Sequence, residues 1–280
     1  MKIQAIQPWV SQCSFRAASY DLFTGLKDKV TLLSDLQAQM KAKKVISVAM
    51  FDMDNFKSVN EVLGYKTGDK FIQAIGLDIS KVARERKASA YRFGGDEFVI
   101  LLLNNMPDDE KSSLLAKVQE TIANDEILLS QKEEYSRNMR HLVKKFEDSQ
   151  HKANEVDKIN GKYEVYQDIF ENSTIAKQDP YVLKSMFIIN TQRENLFSRV
   201  YNETSSGTTQ SRLAEYKEKY DKSHDLYRVR KWYSDFQKHG FRISGGIVTF
   251  TPIQYRGKEP IDLINETGEV LKQNKITKIN

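Results

Sequence analysis

The chain carries one cysteine, Cys13, among 280 residues. A lone thiol can neither form a disulfide within the chain nor supply a cysteine zinc site, and it suits a reducing compartment. Histidine is scarce as well. His141, His151, His224 and His239 are scattered without ligand spacing, so no histidine-based metal centre is expected. No apolar run reaches the length of a membrane span. The opening residues, MKIQAIQPWVSQ, lack the apolar core of a secretory signal. A cytoplasmic protein without membrane contact is the expectation. There is no internal repeat and no low-complexity tract. Neither sign of charge dominates: 43 Lys and Arg against 38 Asp and Glu give a net +5. A mildly basic surface suits a phosphate-bearing ligand. The interleaving of acids argues against a nucleic-acid interface.

What is present is a chain that is 40% hydrophobic and 29% charged, enough for a soluble protein with a real core, in one large domain or two modest ones. TLLSDLQAQMKAKK has Leu32, Leu33, Leu36 and Met40 at helical spacing. KVISVAMFDMD reads as a strand buried on both faces. TGDKFIQAIGLDISKVARE reads as a helix with Phe71, Ile72, Ile75, Ile79 and Val82 along one side. ASAYRF and EFVILLL read as two strands joined at Gly94-Gly95-Asp96, where glycine supplies the positive φ of a tight turn. DDEKSSLLAKVQETIAND opens with acids, as helices do.

From about residue 126 to 238 the composition shifts to Lys, Glu, Gln, Asn and Tyr, with helical spacing such as Tyr135, Met139, Leu142 and Phe146. NETSSGTTQS, Asn202 to Ser211, reads as a flexible break. Strand character returns at FRISGGIVTF, followed by an amphipathic helix, IDLINETGEVLKQNK. The expected organisation is a discontinuous α/β domain, residues 1–125 and 239–280, interrupted by a helical insertion, 126–238.

The chemistry concentrates at strand ends. Asp52 and Asp54 are two apart, so in a strand they share a face. If that strand neighbours the Gly94-Gly95 hairpin, Asp52, Asp96 and Glu97 converge. Clustered carboxylates repel one another and resist burial, so a cation belongs among them. Oxygen-only ligands suit Mg²⁺ or Mn²⁺, the ions that clamp attacking and leaving oxygens in phosphoryl and nucleotidyl transfer. Either acid motif alone is compatible with a solvated acidic turn; the two together favour metal.

These residues resemble the GGDEF domain family, the diguanylate cyclases. Besides Gly94-Gly95-Asp96-Glu97-Phe98, YDLFTGLKDK is similar to the family's D-x-L-T-G-L-x-N-R. DMDNFKSVNEVLGYKTGD is similar to D-x-D-x-F-K-x-x-N-D-x-x-G-H-x-x-G-D, ISGGIV to the S-I-G-V strand, and EVLKQNK to a final helix that supplies lysine. The resemblance implies a palm-like α/β (α+β) fold: a central, mostly antiparallel sheet flanked by helices, here with an inserted all-helical subdomain. It implies condensation of two GTP into cyclic di-GMP across a homodimer, with two Mg²⁺ (or Mn²⁺) per active site. By position, Asp52, the Met53 carbonyl and Asp96 would bind metal. Glu97 would serve as metal ligand or activate the hydroxyl. Asn60 and Asp69 would read the guanine edge. The amides of Asn55 and Phe56, with Lys275, would hold the triphosphate, and Lys57 would lie near the phosphates. Asp69 can accept from both N1–H and the exocyclic amine of guanine; adenine would leave that acid unpaired.

The chain departs from the family pattern in four places. Tyr65 stands where histidine is usual, at the pocket wall. Gly245 replaces isoleucine in S-I-G-V. The final helix has Ile279 where arginine is usual, with Lys278 as the candidate substitute. The R-x-x-D of the product-inhibition site reads Glu85-Arg86-Lys87-Ala88, so feedback through it is not expected. The insertion is then a candidate dimerisation or input module with a protein or ligand partner. A second reading, motivated by the altered final helix and the insertion, is a silent domain that binds GTP or a partner without turnover.

Overall fold

The computed structural model describes residues 19–174 and 176–277. Cys13, Lys278 and Ile279 lie outside them. The chain divides into two compact units, one from the residues before Glu133 and after Lys238, the other Glu133–Lys238.

The first unit holds a four-stranded sheet. Its elements are α1 (Lys29–Lys41), β1 (Ile46–Met53), α2 (Phe56–Leu63), α3 (Tyr65–Glu85), β2 (Ser89–Gly94), β3 (Glu97–Leu102), α4 (Asp108–Ala123) and α5 (Glu126–Ser130). After the insertion come β4 (Ile243–Phe250) and α10 (Pro260–Thr277). Strand order is β2-β3-β1-β4, every neighbour antiparallel. This is the mixed α+β architecture, an antiparallel sheet flanked by helices.

The alternation of β1 explains the layers. Val48 and Met50 join Leu32 and Leu36 of α1 and Leu263, Ile264 and Leu271 of α10 in one core. Phe51, of opposite parity, lies close to Leu115 of α4 at Gly245. Ile46 through Phe51 are therefore all buried, which is why the strand reads as a continuous apolar run. Gly246 of β4 lets α10 come down onto the sheet: a Cβ there would lie 2.5 Å from the main-chain nitrogen of Leu271. The unusual Gly245 also has a steric reason. It pairs with Phe51, and the Phe51 ring and Leu115 fill the space that its Cβ would need.

β1 ends at Met53, and the polar segment after it is not an extension of the strand. The chain turns at Asn55, in the left-handed region at φ 57°, ψ 30°, and enters the short helix α2. Asparagine tolerates that conformation better than most side chains. The helical insertion starts at Glu133 rather than 126, because α5, with Leu128 buried, stays with the sheet unit.

On α3, burial and the neighbouring charge of Asp125 push the Asp78 carboxyl up to about 6, and one of its oxygens is buried without a hydrogen-bond partner. The ionised form is thus disfavoured in the folded state. That penalty is fully present above about pH 6 and fades as pH falls, vanishing only well below the ordinary carboxyl value, where folded and unfolded chains are both protonated. Asp78→Asn is expected to stabilise the protein by about 1–2 kcal/mol at pH 8, allowing for partial exposure, and by about a third of that at pH 4.5. Thermal melts at both pH values test this; an equal gain at both would show that packing, not charge, is responsible.

The second unit is helical: α6 (Lys132–Asn172), α7 (Pro180–Glu203), α8 (Thr209–Tyr220) and α9 (Ser223–His239). Val156 and Ile159 of α6, Leu196 and Val200 of α7 and Tyr216 of α8 form its core cluster. Tyr135 of α6 packs at a tilt against Phe236 of α9 with ring centroids 4.5 Å apart. Ion pairs Glu155–Arg199, Asp157–Lys217 and Glu147–Arg230 tie the helices together. NETSSGTTQS falls at the α7–α8 connection. There Glu215 accepts from the Ser205 amide and hydroxyl, and Thr208 caps α8 by accepting from the Ser211 amide.

Candidate active site

The antiparallel register brings the acids together. Asp52 pairs with Glu97 of β3 on one side and with Ser244 of β4 on the other. Asp96 occupies the hairpin turn beside Glu97, and Gly95 there has φ 39°, a conformation glycine adopts without steric cost. The convergence expected from sequence therefore rests on one fact, that β1 lies next to β3.

The turn is gripped from outside by a group the sequence did not reveal. Arg92 of β2 donates from Nε and Nη2 to the Gly95 carbonyl, at 3.1 and 2.8 Å. Its Nη1 donates to both carboxylate oxygens of Asp21, at 3.2 and 3.1 Å. Asp21 also accepts from the Thr24 amide and hydroxyl. Burial pushes the Asp21 carboxyl up, but the Thr24 bonds and the Arg92 guanidinium prevail and hold it below the usual range. The YDLFTGLKDK segment thereby positions the signature turn.

Each acid of the cluster is shifted in the direction of an uncompensated negative site. Burial raises the Asp52 carboxyl, the Lys275 ammonium partly offsets this, and Asp54 adds to it. Burial and the charge of Asp52 push Asp96 up to about 6. Burial and Asp52 also raise Glu97, against Lys29 and Lys275. Lys275 of α10 donates to Asp52 Oδ1 and lies 3.6 Å from Asp54 Oδ1. Asn274 anchors the same turn of α10 through the Gly245 carbonyl, at 2.9 Å.

Among the described residues no three acidic, histidine or cysteine side chains form a ready-made cage for an ion. The donor set still fits Mg²⁺, which is commonly held by one or two carboxylates and completed by phosphate and water. The charge-starved pair Asp52 and Asp96, with the adjacent Met53 carbonyl, has that character.

The nucleotide-reading candidates lie on α2 and α3. The first amides of a helix lack acceptors within it, which places those of Asn55 and Phe56 at a suitable anchor point for anions. Gly64, at φ 83°, separates the two helices. Asn60 lies directly over Gly68: a Cβ at Gly68 would come within 1.9 Å of Asn60 Oδ1. Asp69, the next residue along α3, is exposed. Tyr65 is 78% exposed, and exposed Lys57 pairs with Glu61 at 3.7 Å. Neither is drawn into the acid cluster. Lys278 lies outside the described residues.

Sequence reasoning missed Arg242. It donates from Nε to Asp54 Oδ2 at 2.7 Å, and Ser244 Oγ donates to the same oxygen at 3.0 Å. Only the pairing of β1 with β4 could have signalled this.

The profile described as "Diguanylate cyclase, GGDEF domain" matches residues 18–157, half of the chain. The chain is similar to diguanylate cyclase VdcA of Vibrio cholerae, 32% identical over 84 residues, 30% of this chain and 24% of that protein. It is similar to diguanylate cyclase DgcP of Escherichia coli, 34% identical over 113 residues, 38% of this chain and 32% of that protein. It is also similar to cyclic di-GMP phosphodiesterase NbdA of Pseudomonas aeruginosa, 31% identical over 117 residues, 39% of this chain and 15% of that protein. The matches to these three relatives span a third of their length or less. Among solved structures, diguanylate cyclase SiaD of Pseudomonas aeruginosa, in complex with its activator SiaC, aligns at 28% identity and a TM-score of 0.35. That alignment covers 38% of this chain and 41% of that one. With the family profile spanning half of its length and the signature residues at the mouth of its sheet, the chain belongs to the GGDEF family of diguanylate cyclase domains.

Proposed function

We propose that the protein condenses two GTP into cyclic di-GMP and two pyrophosphates. The observation that carries this reading is the placement of Asp52 opposite Glu97, one residue from Asp96, with Lys275 over it. Asn60 and Asp69 hold the guanine edge. The Asn55 and Phe56 amides and Lys275 hold the triphosphate, with Lys57 at its outer side. Mg²⁺ or Mn²⁺, held by Asp52, Asp96 and the Met53 carbonyl, would neutralise the charge developing on the phosphate. The 3′-oxygen of one GTP bonds to the α-phosphorus of the other, and the bond to the bridging oxygen of pyrophosphate breaks. Glu97 would assist, as a metal ligand or by taking the hydroxyl proton. The same step in the other direction closes the ring and releases the second pyrophosphate. The direct test is incubation of the protein with GTP and Mg²⁺ or Mn²⁺, with products separated and identified by mass. GTP that binds without forming product would move the reading to a silent regulatory domain.

Two substrates facing each other require two subunits, and the insertion carries a surface suited to pairing. Val165 and Ile169 of α6 and Leu183, Phe187 and Ile188 of α7 are exposed near the α6–α7 connection, Phe187 at 73%. Exposed apolar clusters of this kind mark interaction sites. Residues 163–172 carry Glu164, Asp168 and Glu171 and no basic residue, whereas residues 176–188 carry Lys177 and Lys184 against a single acid, Asp179. A second copy packed with α6 against α7 satisfies both patterns. The expected result is a dimer of the 32.4 kDa chain by light scattering, and a monomer with low specific activity for Val165→Glu/Phe187→Glu. A double variant that remains dimeric would refute this interface.

Feedback control is expected to be absent at the Glu85–Ala88 window. Arg86 there donates to Ser113 Oγ at 3.1 Å, and Arg84 Nε donates to the Ser80 carbonyl. Added cyclic di-GMP should leave the maximal rate unchanged. A fall in that rate at saturating GTP would show a product site elsewhere.

A further inference from the structure

Asp54 is among the acids closest to the site, yet it is engaged on the side away from the hairpin. Its side chain is 9% exposed. Arg242 and Ser244 occupy Oδ2 at 2.7 and 3.0 Å, and Lys275 approaches Oδ1 at 3.6 Å. Lys275 is therefore shared between two carboxylates, bonded to Asp52 and near Asp54.

We infer that Arg242 is a positioning residue: by neutralising Asp54 it leaves Lys275 available for the phosphates of the nucleotide. The inference rests on the nucleotide reading given above. A nearly buried carboxylate needs a full cationic partner. With Arg242 in place Asp54 has one, and Lys275 is not required there. Without it, Lys275 is the remaining cation beside Asp54 among the described residues, and it is drawn away from the site mouth.

Arg242 is itself firmly placed. The Asp54 amide donates to the Arg242 carbonyl at 3.0 Å, so main chain and side chain hold the same residue. Phe241, just before it, is buried edge-on against Phe71 of α3 at 4.9 Å between centroids. Ile243, just after it, pairs with Met53 in the sheet. The Arg242 side chain is 19% exposed, a setting in which charge-assisted bonds are strong.

The probe is 3′-deoxy-GTP with Mg²⁺, which carries the triphosphate but lacks the attacking hydroxyl. Its affinity is measured by calorimetry for the full chain and for Arg242→Met, Arg242→Lys and Arg242→Met/Asp54→Asn. Arg242→Met is expected to bind about tenfold more weakly, because Lys275 turns to Asp54. Arg242→Lys, which keeps the cation, should stay close to the unaltered protein. Removal of both charges should restore binding to within about threefold, since Asp54 then no longer competes for Lys275.

Unchanged binding by Arg242→Met overturns the inference. So does a double variant as weak as the single one, which would mean that Arg242 touches the phosphates or supports the fold directly. If Arg242→Met does not fold, the outcome rests on the Arg242→Lys and double variants. If the unaltered chain does not bind 3′-deoxy-GTP at all, the nucleotide reading itself fails, a result distinct from either of these.

Discussion

Asp96→Asn is expected to leave a folded protein whose formation of cyclic di-GMP is slower by on the order of a thousandfold, about 4 kcal/mol of transition-state stabilisation. The reasoning separates chemistry from folding. Burial and the charge of Asp52 already disfavour the ionised Asp96 carboxyl. A neutral amide of the same shape relieves that repulsion, so the melting temperature should hold or rise. What is lost is one of the two carboxylates available to a divalent ion, and an amide oxygen replaces it poorly because it lacks the charge. The turn should survive, since Arg92 grips the Gly95 carbonyl and not the Asp96 side chain. Initial rates by mass-detected chromatography, alongside thermal melts, decide the matter. A rate within tenfold of the unaltered protein would remove Asp96 from the metal site.

Gly246→Val should produce the second large effect, through packing. A Cβ at this position would lie 2.5 Å from the Leu271 nitrogen and 2.9 Å from its Cα. These are main-chain atoms of α10, so no side chain can rotate out of the way. Either the helix lifts or the strand shifts, at a cost of about 2–3 kcal/mol. Lys275 is one turn further along that helix and reaches Asp52 only because the helix lies close. The variant is expected to lose stability to urea and, where still folded, to bind 3′-deoxy-GTP at least tenfold more weakly. If Gly246→Val retained both, the close approach of helix to sheet would be irrelevant to the site.

Much of the sheet unit is readable along the chain because its signals are local. β1 is a continuous apolar run, the hairpin is marked by two adjacent glycines, and α3 shows helical spacing over its whole length. The acids at the ends of these strands could be located for the same reason. What the sequence could not give is side-chain pairing at long range. Arg92 and Asp21 are 71 residues apart, and Arg242 and Asp54 are 188 apart. Neither arginine has local spacing that marks its partner. The start of α2 was hidden because it depends on the backbone of one residue, Asn55. The edge of the insertion was misplaced because α5 is polar and charged at its ends although Leu128 is buried against the sheet unit.

The order of the strands along the chain has a consequence for synthesis. β1 finds one partner, β3, within about fifty residues, but its other partner, β4, is more than a hundred residues further on, past the whole helical insertion. At ordinary translation rates the emerging protein spends on the order of ten seconds with one edge of β1, an apolar strand, unpaired. Such an edge is a template for pairing with another chain. The insertion thus delays closure of the sheet, and chains interrupted before Ile243 should be poor survivors in the cell, prone to clumping or proteolysis. Lys275 and Arg242 arrive only after that delay, so Asp52 and Asp54 wait through synthesis of the whole insertion for the cations that bond to them.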